Sequence, residues 1–316
     1  MTHPITTAGI DTSKAKLDIA VTGSHKRWQV ENTLPGWRRL ATLFKEHGLT
    51  RAGIEATGGY EQGVVTHLRD QGISVLLLQP VQVKAYARLH LRHAKNDRID
   101  AVLIAECAAA IDQWRSEPDK RLTELAHHLT FVAQIEEDMT RIKIRLEHLH
   151  DKRLRRLVIA DLARLKTRRA AELEHIAAKL KAHDDLSRRL ELVQSVPGIG
   201  ERTAIELIVR MPELGRVNRE EAASLAGLAP FDDDSGKHKG QRHITAGRGR
   251  VRRALFAAAL PAAFRWNKAL VAFYKRLTGR GKTHREALIA CARKLLVYAN
   301  TVLTRDQPWV ENTQTA

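Results

Sequence analysis

The chain opens with short β-branched and apolar runs separated by polar turns, a rhythm that reads as strands rather than as one helix. Residues 8–11 and 17–22 make two such runs on either side of the turn Thr12-Ser13-Lys14-Ala15, and 27–32 makes a third, so a three-strand meander is expected. Pro35 and Gly36 open a helix that runs to about residue 46, where Gly48 stops it. A strand at 51–55, a helix at 59–71 and a largely apolar strand at 73–78, ended by Pro80, follow. A meander followed by βαβ units is the strand sequence of a ribonuclease H-like α/β fold.

From residue 120 the apolar period changes to threes and fours: Leu122, Leu125, Leu129, Val132, Ile135, Met139, Ile142, Leu146 and Leu149. This is an a/d seam on a helix about 45 Å long. A second pattern runs through Leu162, Leu165, Leu173, Ile176, Leu180, Leu186 and Leu190, with no Gly or Pro between 120 and 195. Two readings stand at this point, long helices of an ordinary bundle or a coiled coil that dimerises, and in both the segment is a spacer. It ends at Val196-Pro197-Gly198-Ile199-Gly200, a hairpin signal before a helix at 201–210. Gly198 and Gly200 there are candidates for backbone approach to a phosphate, as in helix-hairpin-helix elements. Further helices are expected at 220–227, 250–265, 268–277 and 283–303, with a polar loop at 231–249. These changes of texture divide the chain into 1–113, 114–194 and 195–316, an α/β domain, a helical spacer and an all-α domain.

Charge sharpens the picture. The 316 residues carry a net +17, of which residues 196–316 alone contribute +10. Within 237–294 there are 16 Lys or Arg and a single acid, Glu286. A one-signed block of this kind marks a polyanion footprint, and Lys237, Lys239, Arg242, Arg248, Arg250, Arg252 and Arg253 are its candidate nucleic-acid contacts. A membrane surface is the rival polyanion, but aromatic residues make up only 5% of the chain. Cys107 and Cys291 sit in Ala-rich helical patterns, so no disulfide framework or zinc site is expected. The N-terminus lacks the features of a signal peptide and no continuous apolar run reaches the ~18 residues of a membrane span, so a cytoplasmic, nucleoid-associated protein is expected.

Candidate chemistry rests on four acids. Asp11 ends the first strand and Glu55 the fourth, which are neighbours in a ribonuclease H-like sheet, while Asp97 and Asp100 lie three apart at the start of an apolar helix. Alone, each has an ordinary role as turn, cap or first-turn acid. Together they are the hard oxygen ligands that a pair of Mg²⁺ ions requires for phosphodiester chemistry. In the second half, Ser235 stands in a glycine-flanked loop among Lys237, His238, Lys239, Arg242 and His243. As a nucleophile it needs that positive charge and a group to take its proton.

GIDTSK at 9–14, IEATGGYE at 54–61 and KNDRIDA at 95–101 resemble the bacterial insertion-sequence transposases related to the Piv DNA invertase, as do VPGIG at 196–200, LAGLAP at 225–230, SGK at 235–237 and GRGRVRRAL at 247–255. The resemblance covers nearly the whole chain. It implies a RuvC-like domain with an Asp-Glu-Asp-Asp metal site on Asp11, Glu55, Asp97 and Asp100, and a C-terminal domain whose serine, here Ser235, bonds covalently to DNA. It also implies a structured bridge RNA that pairs with donor and target DNA, and dimers that assemble to a tetramer with composite active sites. Other readings of the same residues are a RuvC-like junction nuclease in which water attacks, an actin-like sugar kinase opening on Gly-Ile-Asp, and a non-catalytic RNA-binding protein. The kinase reading lacks a second Gly-rich phosphate motif and has no use for the basic C-terminus.

Overall fold

The computed structural model describes residues 6–90, 97–111, 119–231, 243–244 and 247–310. The chain divides into two compact units, Met1–Glu117 and Pro118–Ala316.

In the first unit the three β-branched runs form the antiparallel meander β1 (Ala8–Thr12), β2 (Lys16–Val21) and β3 (Arg27–Glu31). β4 (Arg51–Glu55) pairs parallel to β1, and β5 (Ser74–Leu78) parallel to β4, giving the order β3-β2-β1-β4-β5. Helices α1 (Leu34–Glu46) and α2 (Gln62–Asp70) join these strands. α3 (Pro80–Leu89) and α4 (Asp97–Ala109) follow them. Alternation along the strands sets the layers. Ala8, Ile10 and Ile54 pack with Leu40 and Phe44 of α1 and Val64 and Leu68 of α2. Gly9 and Gly53 face the other way, against α4, which they approach so closely that a β-carbon on Gly9 would lie 2.1 Å from the Ala101 carbonyl oxygen. On Gly53 it would lie 2.4 Å from the Ala108 Cβ. Two glycines paired in register across β1 and β4 therefore make a flat bed for one helix.

In the second unit α5 (Lys120–Glu147) and α6 (Lys152–Lys181) pack as a hairpin. Asp119 and Asp151 cap their N-termini, accepting from Arg121 N and Leu154 N. Arg155 closes the turn by donating to the Leu146 and Leu149 carbonyls. The expected seam is buried from Leu122 to Met139 and half-exposed beyond it. At its base Leu122, Leu125, Leu129 and Val132 share one core with α7 (Asp184–Gln194), α8 (Glu201–Arg210), α9 (Arg219–Ala226), α10 (Gly249–Pro261), α11 (Lys268–Gly279) and α12 (His284–Arg305). Helical spacer and C-terminal helices are thus one compact unit.

The helix expected at 250–265 does not run through. Pro261 supplies no N–H, and the chain passes into a single π-helical turn, Ala262–Trp266. α12 is long and apolar enough to cross a membrane by length and composition. No such segment was expected from the continuous runs. Its Leu288, Cys291, Ala292, Leu295, Leu296 and Ala299 are all buried in the unit's core, so the apolar residues are used inside the protein.

Candidate active site

The parallel pairing of β1 with β4 decides where two of the four acids fall. Gly9 pairs with Gly53 and Ile10 with Ile54, so Asp11 and Glu55 stand one step further along, side by side on strands about 4.8 Å apart. Both share the face of Gly9 and Gly53, which is the face α4 covers. Because Ala101 lies against Gly9, Asp100, its neighbour in α4, is delivered to the same rim. Asp97 begins α4 one turn earlier; its side chain lies outside the described residues.

The electrostatics agree with this placement. Glu55 is half-buried, and its pKa is raised, first by burial and then by the charge of Asp100, with Lys84 of α3 opposing. Cys107, two turns along α4 from Asp100, has its thiol pushed up by burial and then by Glu55. Glu55 therefore lies along the α4 face that carries both residues. Asp18 is paired with Asp11 across β1 and β2, and is held by Lys16 Nζ at 3.1 Å and Gln29 Nε2 at 2.6 Å. Among the described residues no group of three acids, histidines or cysteines is close enough to form a metal site. What fits a divalent cation is the donor chemistry, oxygen ligands only, together with like charges crowded where burial already disfavours them.

The loops that follow Asp11 and Glu55 are tied to each other. The Asn32 side-chain amide donates to the Ser13 carbonyl at 2.8 Å and the Tyr60 carbonyl at 3.0 Å, and its oxygen accepts from Trp37 Nε1 at 2.8 Å. Buried Glu61 accepts from Thr57 N at 3.1 Å, Thr57 Oγ1 at 3.2 Å and Gly59 N at 2.9 Å. Burial alone would raise its pKa, and these hydrogen bonds more than reverse that, leaving it below the ordinary glutamate value. Glu61 is a brace for the loop beyond Glu55. Sequence reasoning missed Lys84, Asn32 and this role of Glu61. The repeated acid in IEATGGYE was the available signal for Glu61, whereas Lys84 on α3 and Asn32 in the turn between β3 and α1 are single polar residues outside any motif.

In the second unit Ser235, Lys237, Lys239 and Arg242 lie outside the described residues, but the stems of their loop do not. β6 (Pro230–Phe231) pairs antiparallel with β7 (His243–Ile244), a ladder that the sequence did not reveal because each strand is two residues long. Behind it, Gly247 at φ +66° packs on Gly227, the left-handed cap of α9, where a β-carbon would lie 2.2 Å from the Gly227 nitrogen. Arg248 N donates to the Leu225 carbonyl, and the Arg248 guanidinium grips Glu213 at 2.6 and 2.8 Å. Arg252 donates to the Gly227 carbonyl. These two arginines hold the base of the serine loop. Arg250 and Arg253 instead line a cleft between α5, α8 and α10 that also holds Arg202, Glu136 and buried Glu206. Gly198, at φ +100°, sits where a β-carbon would meet the Ala262 Cβ at 2.4 Å, so its freedom is used to pack the 196–200 hairpin on the π-helical turn. Gly200 has open space around it and caps α8.

Two family models match the chain in order. Residues 8–152 match a transposase model of the DEDD, IS110 type, and residues 190–275 match the transposase IS116/IS110/IS902 family. The pilin gene-inverting protein of Moraxella bovis is 27% identical over 320 residues, covering 95% of this chain and 96% of the relative, and that of Moraxella lacunata is 27% identical over the same span. An uncharacterized 43.6 kDa protein of insertion element IS110 from Streptomyces coelicolor is 38% identical over 129 residues, 40% of this chain and 30% of the relative. A sheet rim carrying acids and a second, basic helical unit, matched in this order, define a DNA transposase or recombinase. In both matched segments the chain is similar to the IS110/IS116 insertion-sequence transposases.

Proposed function

We propose that this transposase cuts and rejoins DNA through a covalent serine–DNA intermediate, using Asp11, Glu55, Asp97 and Asp100 on a ribonuclease H-like (RuvC-like) unit as ligands for Mg²⁺ and Ser235 as nucleophile. Support for the metal half comes from Asp11 and Glu55 on neighbouring parallel strands and from the charge of Asp100, which helps to raise the pKa of Glu55. Bound there, the metal would supply charge neutralisation at the scissile phosphate. Lys84 moderates the site's negative charge, and Glu61 and Asn32 hold the two loops in register.

For the serine half, support comes from the rigid base of the loop, held by Arg248 on Glu213 and by Gly247 on Gly227. The Ser235 hydroxyl attacks phosphorus, its proton passes to a base in or near the loop, and the 3′ or 5′ oxygen of the DNA leaves as the serine phosphodiester forms. The bond energy is kept in that ester, and reversal on the exchanged strand rejoins DNA without ATP. In keeping with the resemblance, the substrates are double-stranded donor and target DNA, the guide is a structured bridge RNA held by the basic second unit, and the working form is a homotetramer built from dimers. A cytoplasmic, nucleoid-associated location follows from such substrates.

The test is incubation of the protein, the RNA transcribed from its flanks and labelled DNA with Mg²⁺, followed by a denaturing gel. A protein-linked band that vanishes with Ser235→Ala and with chelator is expected. Free cleaved DNA that survives Ser235→Ala would overturn the serine mechanism in favour of hydrolysis by water.

A further inference from the structure

In the second unit α11, α12 and the segment after α12 enclose a cleft of about 820 Å³. The segment is held in place. Asp306 takes the left-handed conformation at φ 48° that ends α12, Arg188 pairs with its carboxylate at 3.0 Å, and Trp309 N donates to Ser195 Oγ at 2.8 Å. The wall opposite is made by α11 and α12, so the cleft belongs to the folded unit.

Its lining has an uncommon composition. Lys268, Arg276, Lys294 and Arg305 supply four cations, and no carboxylate lines it among the described residues. Between them lie three aromatic rings. Lys294 Nζ is 4.8 Å from the Phe273 ring centroid and 5.9 Å from that of Tyr298, and Arg276 lies 5.3 Å from Phe273. Tyr298 and Trp309 are 4.4 Å apart. The indole N–H of Trp309 is buried with no acceptor among the described residues, a donor left for something else to satisfy. A purely structural cation–π cluster would explain Lys294 over Phe273 but not the gathering of Arg276, Lys294 and Arg305, none of which pairs with a carboxylate among the described residues.

Cations interleaved with aromatic faces are the chemistry of single-stranded nucleic acid, in which phosphates take the charge and splayed bases stack. A duplex offers its phosphates but keeps its base faces stacked inside, so it would leave the rings and the indole N–H unused. The volume is that of a small-molecule pocket and suits one or two unpaired nucleotides. We infer that this cleft binds an unpaired stretch of nucleic acid, with a base against Tyr298 and Trp309 and flanking phosphates on Arg276 and Lys294. The inference rests on the reading of the chain as a nucleic-acid enzyme but on none of its catalytic residues.

The experiment measures binding of labelled oligo-U, oligo-dT and a blunt duplex of equal length to the full chain by fluorescence anisotropy across a salt series. Wild type is compared with Trp309→Ala, Trp309→Phe, Arg276→Gln and Lys294→Gln. Trp309→Ala should weaken single-strand binding about tenfold while Trp309→Phe keeps most of it. Each glutamine variant should lower the salt slope by about one. Duplex affinity should change by less than about twofold throughout, and ultraviolet crosslinks from 5-iodouridine should map to Tyr298 or Trp309. A preference for oligo-U over oligo-dT would assign the cleft to RNA, and equal binding would assign it to the sugar-independent features of either strand. Variants that leave single-strand affinity unchanged, or weaken duplex and single strand alike, would overturn the inference. In that event DNA strand transfer by the same variants at wild-type rate would leave the proposed function standing, whereas a chain that binds no nucleic acid at all would sink both.

Discussion

Gly9 touches Ala101. No β-carbon fits between them, because it would fall 2.1 Å from a backbone oxygen that cannot swing aside. Gly9→Ala should therefore lift the first turn of α4 from the sheet and with it Asp100. A loss of about 1–3 kcal/mol of stability is expected for such overpacking, read by urea unfolding, together with loss of metal-dependent DNA cleavage. Gly53→Ala, whose obstacle is the Ala108 methyl at 2.4 Å, should be rescued in part by Ala108→Gly. Rescue of stability without recovery of cleavage would show that α4 returns in the wrong place.

Glu55→Gln separates stability from chemistry. The substitution removes a charge that burial and Asp100 both disfavour, so the unfolding free energy should stay level or rise by about 1 kcal/mol. DNA cleavage should nevertheless fall by about 100-fold or more, as expected when a ligand charge is lost. Parallel falls in both quantities would mean that Glu55 is a structural residue.

Glu61 gives a pH signature. Its pKa is lowered in the folded chain, so the stability it contributes is complete above the ordinary glutamate value and is lost as pH falls through the folded value. Glu61→Gln should cost about 1–3 kcal/mol at pH 7, and the gap from wild type should close as the pH drops below about 4.5. Thermal melts of both proteins between pH 3 and pH 7 measure this, and a gap independent of pH would remove the carboxylate from the explanation.

Arg248 and Arg250 should behave differently although they lie two residues apart in one basic run. Arg248→Ala breaks the grip on Glu213 and is expected to depress strand transfer more than binding. Arg250→Ala, which frees a cleft residue, should weaken nucleic-acid binding and reduce its salt slope by about one. Equal effects on binding would show the run acting only as bulk charge.

The first unit was legible in the sequence because its signals are local and repeated. Alternation from Ala8 to Val21 gave the meander, and the Asp11–Glu55 neighbourhood followed from strand order, needing no knowledge of side chains. What periodicity cannot carry is contact between distant single residues. Asn32 joins two loops through one amide, and nothing on α1 or β3 announces it. The π-helical turn escaped because Pro261 sits in a pattern that still steps by three and four up to Trp266. The seam of α5 was found, but not that its base belongs to the core of the C-terminal helices, since a buried a/d position and a dimerising one look alike in sequence. Basic residues in one block were read as one surface, whereas Arg248 and Arg252 turn inward to hold the chain.

The paired glycines behind the serine loop have a consequence for how such enzymes diverge. With Gly247 seated on Gly227, and β6 joined to β7 in front of them, the framework is closed before the loop begins. α9 and the start of α10 are thus fastened to each other by described residues alone. If Ser235 is the nucleophile proposed above, swapping residues 232–242 between relatives should transfer reaction preferences while leaving the recipient's folding stability where it was.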